Sequence, residues 1–174
     1  MDKSITYLND LVIRDERVAE HQSIYRITRL AFIDRPYAAG DEQDLINRLR
    51  AVGALTMSLV ALIDNDLVGQ ATFSPASQSD GSAPWYALGP ISVNPDHQSL
   101  GIGSALIAEG FQRLQERSAL GCILTGDPVY YERFGFVLSP SHTPKTESPQ
   151  SFQVKFFTDF RPQGTFSFHQ AFYD

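Results

Sequence analysis

The segment from Leu88 to Leu106, Leu-Gly-Pro-Ile-Ser-Val-Asn-Pro-Asp-His-Gln-Ser-Leu-Gly-Ile-Gly-Ser-Ala-Leu, constrains this chain more than any other. It reads as a strand, a tight turn and a helix whose first turn holds two glycines. A helix start leaves its first N–H groups unpaired and carries partial positive charge. Gln98 to Ser104 therefore offers a row of backbone donors suited to a phosphate or diphosphate. A Cβ at Gly101 or Gly103 would hold such a group away from the backbone. The helix is predicted from Leu100 to Arg117, because Gly103, Leu106, Ile107, Gly110, Phe111 and Leu114 recur at helical spacing while Glu109, Gln112, Arg113 and Glu116 face away. Gly121 to Gly126 follows as a short apolar strand. Strand, helix and strand together predict a right-handed crossover with parallel pairing.

The motif also excludes ligands. A dinucleotide fingerprint needs a third glycine where Leu106 stands, and a Walker loop needs a lysine that Gly103-Ser104-Ala105 lacks. Alone, a Gly-Ile-Gly at a helix start is equally compatible with close helix packing.

Composition narrows the class. The 174 residues give one domain, 1–174, on length, and the hydrophobic share of 43% provides for a core. Fourteen Lys and Arg against twenty Asp and Glu give a net charge of −6. No basic cluster marks a nucleic-acid partner, and the acidic balance suits a cationic amine. A single cysteine, Cys122, precludes an internal disulfide and a thiolate metal site. His21, His142 and His169 are scattered, with no metal-ligand pattern. The polar start Met1-Asp2-Lys3-Ser4 lacks a signal-peptide apolar region, and no apolar run approaches the roughly 20 residues that span a bilayer. The expectation is a cytoplasmic protein without membrane partners.

Around the central motif the pattern is mixed. Leu11–Arg14 reads as a strand, Val18–Phe32 as an amphipathic helix, and Ile33–Ala39 as a loop broken by Pro36. Asp41 is a predicted N-cap for a helix to about Val52. Met57–Ile63 and Leu67–Phe73 read as a hairpin, Gln78–Pro84 as a polar connection, and Trp85–Val93 as a strand bulged at Gly89-Pro90. A short helix or turn holds Tyr130–Phe134, with a strand starting at Phe136–Leu138. Pro140–Gln150 reads as a mobile proline- and serine-rich loop, and Gln153–Thr158 and Thr165–Phe172 as closing strands.

Val93-x-Pro95, then Gln98-x-x-Gly101-x-Gly103-Ser104-x-Leu106, resembles the signature of the GNAT superfamily of acyl-CoA-dependent N-acetyltransferases. Tyr131-Glu132-Arg133-Phe134-Gly135-Phe136 resembles a second family segment, in the expected order and separation. Gly126-Asp127-Pro128-x-Tyr130-Tyr131 and Ser167–Phe172 are similar to the YhbS-like bacterial branch. The resemblance implies an α/β (α+β) fold: a mixed, mostly antiparallel sheet, one parallel pair splayed at a bulge, helices on both faces, and a coenzyme-binding core at about 85–138. It implies acetyl-CoA as co-substrate and no metal. The pyrophosphate would lie on Gln98, Ser99, Leu100, Gly101, Ile102, Gly103 and Ser104, and the pantetheine arm along Ile91, Ser92 and Val93. Asp127 and Tyr130 are further coenzyme-side candidates. The acceptor would be an amine, on a small molecule or a protein, and a homodimer is one assembly the family allows.

Amide formation from a thioester needs a neutral amine, donors for the oxyanion and an acid for the departing thiolate. Tyr131 aligns with the family tyrosine placed by the thioester sulfur, and is the candidate acid; Tyr130 is the neighbouring candidate for packing the short helix onto the sheet. The N–H of Ile91 or of Val93 is the candidate oxyanion donor. Asp127, Glu132, Tyr86 and Glu42 are candidate bases, none placed by a motif. His97 titrates near neutrality but precedes the loop, which favours a structural or coenzyme-side role. Cys122, mid-strand in an apolar run, reads as core rather than as an acyl carrier. The glycine loop would serve equally a non-catalytic acyl-CoA-binding sensor or interaction module; only the enzyme needs Tyr131.

Overall fold

A computed structural model describes residues 9–174; the polar start Met1–Ser4 lies outside the described residues. Eight strands are hydrogen-bonded in the order β1-β2-β3-β4-β5-β7-β6, with β8 on β3. They are β1 (Val12–Asp15), β2 (Met57–Ile63), β3 (Asp66–Gln78), β4 (Trp85–Val93), β5 (Gly121–Thr125), β6 (Val137–Leu138), β7 (Phe152–Phe156) and β8 (Phe166–Ser167). Among the described residues these α-helices accompany them: α1 (His21–Phe32), α2 (Glu42–Ala51), α3 (Ile102–Glu116) and α4 (Pro128–Tyr131). β4 and β5 run parallel, while the β1–β2, β2–β3, β3–β8, β5–β7 and β6–β7 pairs are antiparallel. The predicted mixed α/β, mostly antiparallel fold with one parallel pair is the observed one.

The chain divides into two compact units. The first comprises the described residues up to Phe73 with Pro90–Gly110; the second comprises Ser74–Gly89 and Phe111–Asp174. In the first, α1 and α2 set Ile24 and Ile46 on Val60 and Leu62 of β2. On β3, a Cβ at Gly69 would crowd the Ile102 and Leu106 side chains of α3, and one at Gly110 would enter the Phe73 ring. Two glycines thus let α3 lie close on the sheet. The second unit is packed by Trp85, Ala87, Ile123, Phe152, Val154, Phe166 and Phe168.

Several boundaries differ from the sequence reading. Pro95–His97 is a 3-10 turn and α3 begins at Ile102, leaving Leu100 and Gly101 in the loop. β3 runs on to Gln78, because Ser77 and Gln78 pair with β8. The Thr165–Phe172 strand shrinks to Phe166–Ser167, since Phe168 and Phe172 stack on each other (ring centroids 5.0 Å apart) instead of extending a ladder. Asp41 sits at the α2 N-cap without a side-chain cap bond; its carboxylate pairs with Arg48 at 2.8 Å, and Glu42 reaches back to the Ala39 and Gly40 N–H groups. The segment after Pro140 is fastened rather than slack. His142 bonds Ser139 through Nδ1 and the Pro162 carbonyl through Nε2, and Tyr173 takes a bond from Thr146 and gives one to Glu147.

Candidate active site

The parallel register of β4 with β5 runs from Trp85–Gly121 to Ala87–Ile123 and ends there, although β4 continues to Val93. Gly89 stands at φ +137°, backbone that an L side chain rarely adopts, so the strand past the parallel pairing takes a course that a glycine permits. Beyond it, within the first unit, a buried polar network underlies the strand. The Gln70 side-chain amide donates to the Pro90 carbonyl (3.3 Å) and to Ser92 Oγ (2.9 Å), and its Oε1 accepts from Thr72 (2.9 Å). Thr28 of α1 meets Ser92 Oγ at 3.1 Å. Gln70, Thr72 and Thr28 are fully buried, and Ser92 is 3% exposed. The Ser92 side chain is therefore committed inward, while Ile91 and Val93 on either side of it are half-buried.

After β4, Asn94 caps the 3-10 turn by accepting from the Asp96 N–H, and its own N–H bonds the Val68 carbonyl. Gln98 donates from its side chain to the Val93 carbonyl (3.1 Å) and accepts from Arg35 at 3.4 Å. Ser99 at φ +63° and Gly101 at φ +87° then turn the chain into α3. The first α-helical bond runs from the Ala105 N–H to the Gly101 carbonyl, so the N–H groups of Ile102, Gly103 and Ser104 stand ahead of the ladder. Ser99, Gly101 and Ser104 are exposed. Such a row of backbone donors at the positive end of a fifteen-residue helix fits an anionic diphosphate. Beside it, His97 Nδ1 is buried without a hydrogen-bond partner.

Asp127, Tyr130 and Tyr131 lie in the second unit. Asp127 caps α4 by accepting from the Val129 N–H (3.0 Å), which is the work of an N-cap carboxylate. The packing role read for Tyr130 belongs to its neighbour. Tyr130 is 37% exposed, under the Arg133 guanidinium, 4.8 Å from its ring centroid. The half-buried Tyr131 ring sets its edge on Phe136, 5.8 Å away, and on Tyr130, 4.9 Å away. A Cβ at residue 126 would fall 2.7 Å from the Tyr131 ring, so Gly126 makes room for it. Packing and a chemical role are compatible in a tyrosine, whose ring is apolar and whose hydroxyl is polar.

Of the four candidate bases, Asp127 and Glu42 spend their carboxylates on backbone N–H groups, Glu132 is exposed, and Tyr86 is half-buried on β4. Cys122 is fully buried, and burial pushes its thiol well above the ordinary range; the core reading of it agrees with the structure. Among the described residues, no group of three or more His, Cys, Asp or Glu is placed to hold a metal ion, and no helix is long and apolar enough to cross a membrane.

Two clusters escaped the sequence. One is the Gln70 network. The other surrounds Glu16, which accepts from Arg50 (2.8 and 2.9 Å) and Ser58 and lies 3.1 Å from His21. Burial alone would raise the Glu16 carboxyl, yet the Arg50 and Ser58 hydrogen bonds outweigh it and hold the group below the usual carboxylate range.

A parallel pair that ends at Ala87 and a donor loop that opens a helix are what the resemblance to the GNAT acetyltransferases implies. The sequence model of the acetyltransferase (GNAT) family matches residues 21–136. Over 135 residues the chain is 33% identical to YhbS of Escherichia coli K12, an uncharacterized N-acetyltransferase, a stretch covering 74% of this chain and 80% of that one. A GNAT family acetyltransferase from Brucella melitensis, crystallised in complex with acetyl-CoA, is 39% identical and superposes with a TM-score of 0.81 over 93% of this chain and 97% of that one. Escherichia coli YhbS in complex with CoA is 28% identical in the superposition, with a TM-score of 0.85 over 94% and 92%. The chain belongs to the GNAT acetyltransferase family.

Proposed function

We propose that this protein transfers the acetyl group of acetyl-CoA directly to a primary amine. The observation that carries the reading is the run of backbone donors from Gln98 to Ser104, shaped by positive φ at Ser99 and Gly101 and set at the start of α3. The complexes of the Brucella melitensis acetyltransferase with acetyl-CoA and of YhbS with CoA support it. In this reading the pyrophosphate lies on that loop and the pantetheine arm follows Ile91–Val93. Asp127 and Tyr130 flank the coenzyme, and an N–H of Ile91 or Val93 faces the thioester oxygen.

The amine nitrogen attacks the thioester carbonyl, and the new C–N bond forms as the oxyanion is held by the β4 N–H. Collapse of that intermediate breaks the C–S bond. The departing thiolate takes the Tyr131 phenolic proton, and the proton lost by the amine returns to solvent. A phenol with an ordinary pKa near 10 stays protonated at neutral pH and is matched to an aliphatic thiolate. Direct transfer is favoured because Cys122, the one thiol, is buried and held as the neutral thiol. The acceptor is an amine on a small molecule or a protein, in keeping with a net charge of −6.

Thiol release from acetyl-CoA across a panel of amines tests this. Tyr131→Phe keeps the ring that packs on Phe136 and removes the hydroxyl. Turnover should fall by about 10²–10⁴-fold with coenzyme affinity nearly unchanged. Equal turnover in variant and parent would remove Tyr131 from the chemistry and leave a coenzyme-binding module.

A further inference from the structure

The Gln70 network has a layout that stability alone does not require. β4 past Gly89 has lost its β5 partner, and Pro90 has no N–H with which to pair. One side chain reaches both ends of the distorted stretch. The two amide hydrogens of Gln70 go to the Pro90 carbonyl and to Ser92 Oγ, and its oxygen accepts from the Thr72 hydroxyl, which fixes the orientation of the amide. Thr28 closes on the same hydroxyl from α1. All four side chains are buried. A buried amide with both hydrogens bonded restrains its partners, because moving either leaves a polar group unpaired away from water. Ile91 lies between the two anchored residues and Val93 directly after them.

We propose that Gln70 is a positioning residue for acetyl transfer. It fixes the Pro90–Ser92 backbone so that the N–H groups of Ile91 and Val93 meet the pantetheine arm and the thioester oxygen, and Thr28 and Ser92 complete the brace. The inference rests on the coenzyme placement proposed above. It assigns Gln70 no contact with substrate: its effect passes through the strand.

The test separates the arm from the rest of the coenzyme. Calorimetry measures binding of CoA and of 3′-phospho-ADP, the part of CoA that lacks the pantetheine arm, to the parent protein and to Gln70→Met, a near-isosteric change. The fragment should bind both proteins equally, because the Gln98–Ser104 loop is untouched. The advantage of CoA over the fragment should shrink roughly tenfold in Gln70→Met, the worth of about one buried hydrogen bond. With saturating acetyl-CoA, kcat should drop by on the order of 10²-fold from misplacement of the oxyanion donor. Thr28→Val should shift both readouts in the same direction, and Thr28→Ser, which keeps the oxygen, should restore them. These smaller changes also serve if Gln70→Met does not fold. A parental CoA-to-fragment ratio and parental kcat in folded Gln70→Met, or in folded Thr28→Val, would overturn the inference while leaving the coenzyme reading intact. Failure of the parent to bind CoA would instead overturn that reading, and the inference with it.

Discussion

The two units are held together by different physics. The first adds to an aliphatic core a set of charged and polar ties: Arg50 and His21 on Glu16, Arg14 on Glu20 at 2.6 Å, Arg48 on Asp41, and the Gln70 network. The second is packed by rings. Trp85 packs edge-to-face with Phe166 and Phe156, with centroids 4.9 and 6.1 Å apart, Phe152 leans on both Phe166 and Phe168, and Phe111 packs on Phe136 and Phe157. Ring packing depends on volume and is indifferent to proton concentration, whereas carboxylate ties answer to pH and salt. The donor loop belongs to the first kind of unit and Tyr131 to the second.

The contrast breaks or sharpens under substitution. Trp85→Ala carries the largest expected effect. The side chain is 1% exposed, and its removal leaves a cavity between Phe166 and Phe156 and strands the Ser82 hydroxyl that its indole N–H bonds. Urea unfolding should show a loss of about 3–5 kcal/mol, equal at pH 7 and pH 4. A loss that changes with pH would mean that the second unit is not held by packing.

Glu16→Gln should cost less, about 1–3 kcal/mol at pH 7, because the half-buried Arg50 keeps a neutral acceptor but loses its charge partner. The Glu16 carboxyl titrates lower in the folded chain than in the unfolded one. Its contribution is therefore complete above the unfolded glutamate value, about 4.3, and is lost as pH falls through the depressed folded value. Parent and Glu16→Gln should accordingly converge in stability as unfolding is followed from pH 7 downward through that window. A gap that stays constant there would contradict the charge-tied account of the first unit.

Asp41→Asn is the smallest of the three. The Arg48–Asp41 pair is largely solvent-exposed, and such pairs contribute about 0–1 kcal/mol, screened by salt. A difference near 0.5 kcal/mol in dilute buffer should vanish in high salt; a larger, salt-resistant loss would show that the N-cap position matters in its own right.

What the sequence made legible was what the backbone builds. Glycine, proline and the change from period-two to helical spacing mark β4, the loop and α3, and Trp85–Val93 carries the same bounds in sequence and structure. The polar brace could not be read. Gln70 and Thr72 alternate with Ala71 and Phe73 as in any half-exposed strand, and nothing local says that α1 covers their face. Glu16 and Arg50 are 34 residues apart, and only the fold brings them together. At the end of the chain, Phe166-Ser167-Phe168 has strand alternation, but its rings are drawn into the core and only two residues pair. For the site, the loop was legible as a motif, whereas Tyr131 rested on resemblance and its packing against Phe136 and Gly126 emerged only in three dimensions.

We propose that coenzyme A is held by backbone donors which a bare Cα at residue 103 leaves accessible. Calorimetric titration of acetyl-CoA into the parent and into Gly103→Val tests it directly, with thermal unfolding as the check on the fold. The account predicts a saturable, one-site isotherm for the parent and, in a variant that still unfolds cooperatively, at least a roughly tenfold weaker one, a loss of about 1.4 kcal/mol. Equal affinity in a folded Gly103→Val protein would contradict it.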